Sequence, residues 1–185
     1  MSESLETAAE LYSMEAVQQL IGEQAGIINA HYTSVENNLP VVCVTLLNGG
    51  IIYAGMLLPK LNFPLLVDSL CVSRYREHTS GADLRWHSYP RVSLKSHRVL
   101  LLDDIYDQGV TLHNVAQWCF NQGAETVDTA VLALKLCAPA SIREFGGPDF
   151  HALTIPDKFV VGLGMDKAGK YRNAPGIYVL RSDNP

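Results

Sequence analysis

Apolar positions near the amino terminus recur at helical spacing. Met14, Val17, Leu20, Ile21 and Ile28 fall close to one face, so the first thirty or so residues read as a helix. Asn37-Asn38-Leu39-Pro40 breaks it. From Pro40 to Leu47 the chain is rich in valine and almost unbroken in apolar character, as in a strand covered on both faces. Asn48-Gly49-Gly50 makes a tight turn, Ile51 to Leu61 is an expected helix, and Leu65 to Val72 is the next expected strand. Ser73 to Tyr89 differs. It is polar, carries Arg74, Arg76, Glu77, His78, Asp83 and Arg85, and has little periodicity. A loop of this length inside a compact domain usually has a function or is disordered.

Arg91 to Lys95 and Arg98 to Leu102 are further strand candidates. Thr111 to Gln122 reads as a helix with Leu112, Val115, Ala116, Cys119 and Phe120 on one face, and Gly123 is a natural stop. Thr126 to Leu136 is another apolar strand, and Phe150 to Ile155, Phe159 to Gly162 and Ile177 to Leu180 are shorter ones. Alternation of apolar strands with helices predicts the α/β class: a mostly parallel, twisted sheet flanked by helices.

Composition narrows the class. The 185 residues are 48% hydrophobic and 18% charged, which suits one folded domain with a sizeable core. No apolar stretch approaches a membrane span, and Met1-Ser2-Glu3-Ser4-Leu5-Glu6 has neither the basic nor the apolar part of a secretory signal. The expectation is a cytoplasmic protein with no membrane partner. A formal net charge of −5 and the lack of any Lys/Arg run argue against nucleic acid as a partner. Cys43, Cys71, Cys119 and Cys137 show no C-x-x-C spacing and sit among apolar neighbours, so they are expected to be buried free thiols. No H-E-x-x-H zinc pair is present.

The stretch richest in chemistry is Val99-Leu100-Leu101-Leu102-Asp103-Asp104-Ile105-Tyr106-Asp107-Gln108-Gly109-Val110-Thr111. Three carboxylates fall within five residues between a strand and a helix, at the edge where open α/β sheets bind ligands. A helix N-terminus offers free N–H groups and favours phosphate. Gly109 allows close backbone approach, and the Thr111 hydroxyl adds a donor. Clustered carboxylates beside a phosphate site repel one another unless sugar hydroxyls or a divalent cation compensate. A ribose phosphate satisfies both halves of the loop. Neither G-x-x-x-x-G-K-[ST] nor G-x-G-x-x-G is present, so any phosphate is held in another way.

This loop resembles the phosphoribosyl pyrophosphate motif of type I phosphoribosyltransferases. Ile155-Pro156-Asp157-Lys158-Phe159-Val160-Val161-Gly162, Met165-Asp166, Tyr171-Arg172, Leu47-Asn48-Gly49-Gly50 and Lys135 are similar to the hypoxanthine-guanine branch. The likeness spans roughly Val41 to Leu180. It implies a single domain over 1–185, with a core at about 38–165 and a small hood formed by the N-terminal helix and the C-terminal segment. It also implies transfer of a phosphoribosyl group from phosphoribosyl pyrophosphate to hypoxanthine or guanine, with Mg2+, in a homodimer or homotetramer.

Residue by residue, the resemblance implies that Asp103 and Asp104 hold the ribose hydroxyls, directly or through magnesium. Asp107 assists proton transfer at the purine N7. Gln108, Gly109, Val110 and Thr111 cradle the 5′-phosphate. Asn48, Gly49 and Gly50 form the pyrophosphate loop. Lys135 donates to the purine O6, Phe159 stacks on the base, and the Val160 backbone meets its 2-position edge. Asp166 binds magnesium, Arg172 contacts pyrophosphate, and the lid carries Arg74 and Tyr75.

Taken singly, these residues have plainer readings. Asp107 could cap a helix, Lys135 could reach for solvent, Phe159 could be core, and Asp166 with Arg172 could be a surface ion pair. Three departures from the branch stand out. Asn48 replaces a usual lysine, Arg74-Tyr75 stands where Ser-Tyr is usual, and Gln108 and Val110 replace commoner polar or basic residues, which backbone contacts tolerate. The rival function is a regulator on the same fold that senses phosphoribosyl pyrophosphate or nucleotides.

Overall fold

A computed structural model of the protein describes residues 8–34, 39–74, 84–136, 142 and 145–180. Its main sheet has six strands: β2 (Val41–Leu47), β3 (Leu65–Arg74), β4 (Leu84–Ser88), β5 (Arg98–Tyr106), β6 (Thr126–Lys135) and β7 (Phe150–Ile155), in the order β4-β3-β2-β5-β6-β7. All neighbours are parallel except β3 and β4, an antiparallel edge pair. The second sheet is small and antiparallel, with order β1-β9-β8, and joins β1 (Ala9–Ser13) to β8 (Val160–Val161) and β9 (Gly176–Val179). The helices are α1 (Met14–Thr33), α2 (Gly50–Leu57), followed by a short 3-10 turn at Leu58–Lys60, and α3 (Val110–Asn121).

Alternation along β5 builds two cores at once. Leu100 and Leu102 face α1, α2 and the small sheet, where they meet Val17, Ile21, Tyr53 and Ile177. Val99 and Leu101 face α3, against Leu112, Val115 and Cys119. Strands covered on both faces need no polar alternation, which is why their sequences are unbroken apolar runs. Burying each such leucine or valine contributes about 1.5–3 kcal/mol. Among the described residues no helix is long and apolar enough to cross a membrane.

Several elements differ from the sequence expectation. The N-terminal helix begins only at Met14, because Ala9–Ser13 extend to pair with β9 and the Ser13 hydroxyl caps the helix by accepting from the Ala16 N–H at 3.3 Å. The expected helix from Ile51 to Leu61 ends at Leu57, where Pro59 tightens the chain into the 3-10 turn. The expected loop from Ser73 to Tyr89 is shorter, since β3 runs through Arg74 and β4 occupies Leu84–Ser88. The expected strand Arg91 to Lys95 is absent. The N–H groups of Arg91 and Val92 go instead to the Asp68 carboxylate at 2.6 and 2.7 Å, which takes these two donors away from a ladder. Of the expected buried thiols, Cys43 and Cys119 are buried, Cys71 is half-buried, and Cys137 lies outside the described residues.

Candidate active site

Strand order reverses between β2 and β5, the pair whose neighbours lead to opposite edges of the sheet. A crevice opens at the carboxyl ends of strands on either side of such a point. Here β2 runs into Asn48-Gly49 and β5 carries the acidic run, so two expected ligand-binding segments meet by topology alone. A cavity of about 360 Å³ lies there. The β2 and β5 ends supply Asn48, Gly49, Asp103, Asp104 and Asp107. Lys135 comes from the end of β6, and Phe159, Val160, Asp166 and Arg172 come from the segment between β7 and β9.

Asp103 and Asp104 are not in a loop. β5 continues through them to Tyr106, and the Asp103 carboxylate accepts the Asp104 N–H at 2.9 Å. Burial pushes the Asp103 carboxyl well above the usual carboxylate range, and the neighbouring Asp104 charge pushes it further. Burial raises Asp104 as well, while the bond from Asp103 and the Arg172 guanidinium partly offset it. The Asp104 carboxylate fills the space beside Gly49, where any side chain at position 49 would overlap it. The Leu47–Asn48 peptide is cis.

Arg172 links the segment between β8 and β9 to this acidic pair. Its guanidinium donates to the Gly164 carbonyl, pairs with Asp166 at 2.5 Å and approaches Asp104 at 3.9 Å. The Gly164 backbone in turn lies against the Gly49 carbonyl. The second cation, Lys135, stands between Asp157 at 3.4 Å and Asp107 at 3.7 Å. Phe159 is 55% exposed despite its apolar sequence context, so it is not a core residue, and Lys167 Nζ lies 6.0 Å from its ring. Val160 beside it is buried.

The remaining expected residues fall around this cleft. Gly109, at φ +73, is the N-cap of α3, and Val110 and Thr111 form its first turn. That conformation suits glycine and starts α3, whose first-turn N–H groups have no acceptor within the helix itself. Gln108 precedes them, and Gly50 starts α2. None of these five lines the cavity itself. Arg74 ends β3, and Tyr75 lies outside the described residues. Asp157 and Lys158 also reach the cleft region, although neither was expected as a site residue; both lie in the Ile155–Gly162 run that resembles the hypoxanthine-guanine branch.

The phosphoribosyl transferase domain family matches residues 7–168. The chain belongs to that family. Among its relatives, the hypoxanthine-guanine phosphoribosyltransferase of Staphylococcus epidermidis is 28% identical over 174 residues, covering 94% of this chain and 93% of that protein. The Bacillus subtilis protein of the same name is 27% identical over 172 residues, 92% of each chain. The solved structure of hypoxanthine phosphoribosyltransferase from Trypanosoma cruzi in complex with the product IMP superposes with TM-score 0.84, 28% identity and full coverage of both chains. The fold is therefore the type I phosphoribosyltransferase fold, and the chain falls in the hypoxanthine-guanine branch of the family.

Proposed function

We propose that this chain is a purine-salvage enzyme that transfers the 5-phosphoribosyl group from phosphoribosyl pyrophosphate to hypoxanthine or guanine, giving IMP or GMP and pyrophosphate. The observation that carries this reading is one cleft in which the adjacent Asp103 and Asp104 carboxylates, the Lys135–Asp107 pair and the exposed ring of Phe159 meet. Their spacing divides the cleft into a sugar end and a base end.

At the sugar end, Asp103 and Asp104 receive the ribose hydroxyls, whose donors satisfy oxygens that otherwise repel one another. The Gln108–Thr111 turn holds the 5′-phosphate through backbone N–H groups and the Thr111 hydroxyl. Asn48, Gly49, Gly50 and Arg172 hold the pyrophosphate. Asn48 brings no charge, so Arg172, held here by Asp166 and the Gly164 carbonyl, is the cation of this set. At the base end, Phe159 stacks on the purine, Lys135 donates to O6, and the Val160 backbone meets the 2-position edge. As the bond from C1′ to pyrophosphate breaks and the bond from C1′ to the purine nitrogen forms, Asp107 takes or relays the proton the base must lose. The carboxylates face the positive charge that develops on the ribose.

Magnesium fits the donor set. Asp103, Asp104 and Asp166 present hard carboxylate oxygens around the cleft, although among the described residues no three such groups converge as a ready-made metal site. Mg2+ keeps several waters and needs only one or two protein carboxylates beside substrate phosphates. Asp166, Asp103 and Asp104 would hold it, and it would neutralise leaving-group charge.

We read residues 1–185 as one domain, with a core at about 38–165 and a hood formed by the N-terminal helix and the C-terminal segment, and the Arg74–Tyr75 region as a lid that excludes water. We further assign the protein to the cytoplasm and to a homodimer or homotetramer. The test of the reading is release of pyrophosphate from phosphoribosyl pyrophosphate when hypoxanthine and magnesium are added. Stoichiometric release with IMP formed is expected. Binding of the donor without turnover would instead identify a sensor on the same fold.

A further inference from the structure

The last residue of β5, Tyr106, belongs to neither the acidic pair nor the phosphate turn. It occupies an apolar position of the motif, yet it carries a hydroxyl and is only 3% exposed. Its ring is packed in the α3-side core with Leu112 and Val115, and its hydroxyl donates to the Gly146 carbonyl at 2.5 Å. The same phenol closes the space under Gly109. A side chain built at position 109 would collide with the Tyr106 hydroxyl and ring. Gly109 is the left-handed N-cap of α3, so its placement sets the aim of the N–H groups that follow it.

Phe145 and Gly146 therefore reach the two elements that flank the phosphate turn, the end of β5 and α3. Tyr106 ties the Gly146 carbonyl to the end of β5, and the Phe145 ring packs on His113 of α3 at 5.0 Å between centroids. Nothing in this arrangement touches the cleft directly, since Tyr106 does not line it. A tyrosine in place of an aliphatic residue buries an extra polar group, which is tolerated because the hydroxyl has its acceptor.

We propose that Tyr106 is a positioning residue for 5′-phosphate binding: braced by Gly146, its phenol fixes Gly109 and thereby aims the backbone donors of the Gln108–Thr111 turn. This rests on the reading of that turn as the 5′-phosphate cradle. The role predicts an effect on ligands that carry the phosphate and on no others.

The experiment compares Tyr106→Phe, Thr111→Val and the unaltered full-length chain by calorimetric titration with IMP and with hypoxanthine, alongside steady-state kinetics and thermal melts. Tyr106→Phe keeps the ring and removes only the brace. Loss of one hydrogen bond's worth of positioning should weaken IMP binding and raise KM for phosphoribosyl pyrophosphate by roughly 3- to 10-fold. KM for hypoxanthine and kcat at saturation should stay within about twofold, because neither Asp107 nor Lys135 is touched. A lowered melting temperature with IMP binding unchanged would assign Tyr106 to stability alone and overturn the proposal. So would an equal loss for IMP and for hypoxanthine. Thr111→Val separates the two readings. If it weakens IMP binding while Tyr106→Phe does not, the brace is wrong and the cradle stands; if it leaves IMP binding unchanged, the cradle itself is wrong and the proposal falls with it.

Discussion

Asp107 and Lys135 sit 3.7 Å apart at the base end, and each has a separable expected effect. Asp107→Asn keeps size and polarity but accepts a proton poorly, so kcat should fall roughly 10²-fold or more with little change in KM for hypoxanthine. Steady-state kinetics with an unchanged kcat would remove Asp107 from proton transfer. Lys135→Ala should cost about 1–3 kcal/mol in the binding of 6-oxopurines, read as a raised KM for hypoxanthine, by loss of a charge-assisted hydrogen bond. The acidic pair gives a prediction of opposite character, on stability. The Asp103 carboxyl is raised in the folded state by burial and by Asp104. The folded protein then binds more protons than the unfolded chain between the ordinary carboxylate range and the raised value, so this group's contribution falls as pH rises through that window. Asp103→Asn should therefore melt higher than the unaltered chain at pH 7, by on the order of 2–4 °C for each kcal/mol relieved. The gap should close as pH falls below about 4, where the carboxyl becomes protonated in the unfolded chain as well as in the folded one. A variant that melts lower at pH 7 would contradict the electrostatic account. At this scale the acidic pair, Asp107 and Gly109 were legible because carboxylates beside a glycine-led helix start are chemically conspicuous. Asp157 and Tyr106 were not, because their roles depend on what the fold sets beside them: Lys135 for one, Gly109 and Gly146 for the other.

Among the elements, the apolar strands of the main sheet could be read directly, since burial on both faces leaves a continuous run. What the pattern could not show was where such a run is diverted. Arg91 to Lys95 has the composition of a strand, but the Asp68 carboxylate on β3 accepts the N–H groups of Ser69, Arg91 and Val92, all at 2.6–2.7 Å. A side chain 23 residues away in sequence thus decides the backbone conformation. The Ala9–Ser13 strand was missed for a similar reason, as its partner β9 comes from the other end of the chain. Burial alone would raise the Asp68 carboxyl, yet the three donors and the nearby Arg91 hold it below the ordinary carboxylate value. The sign is the reverse of Asp103. This stability is present at neutral pH and is lost as pH falls below about 4 through the lowered folded value. Asp68→Asn turns an amide N–H2 toward these donors and should cost about 1–3 kcal/mol at pH 7. Melts of both proteins should converge on acidification; a gap that widens below about pH 4 would refute the assignment.

For the whole molecule, sheet order explains why segments distant in sequence share one cleft, and it also leaves an apolar surface. Helix α2 reads Gly-Ile-Ile-Tyr-Ala-Gly-Met-Leu, with no charged residue, and a helix apolar all round is expected to be covered on all sides. Yet Ile51 is 55% exposed, and Val67, on the same face of the sheet as the buried-side Leu65, is 57% exposed. A second copy of the chain is the occupant the proposed oligomer supplies. Val67→Glu should shift the mass measured by light scattering toward the monomer; an unaltered chain that is itself monomeric would contradict the assembly. The central claim is one of chemistry, namely a site that moves phosphoribose onto 6-oxopurines. Its most direct test is kcat/KM for hypoxanthine, guanine, xanthine and adenine, each with phosphoribosyl pyrophosphate and magnesium. The Lys135 donor matches an oxygen at the 6-position and meets an amino group badly, so hypoxanthine or guanine should be used at least roughly 10- to 100-fold better than adenine. Equal use of adenine and hypoxanthine, or no pyrophosphate released with any of the four, would contradict the account.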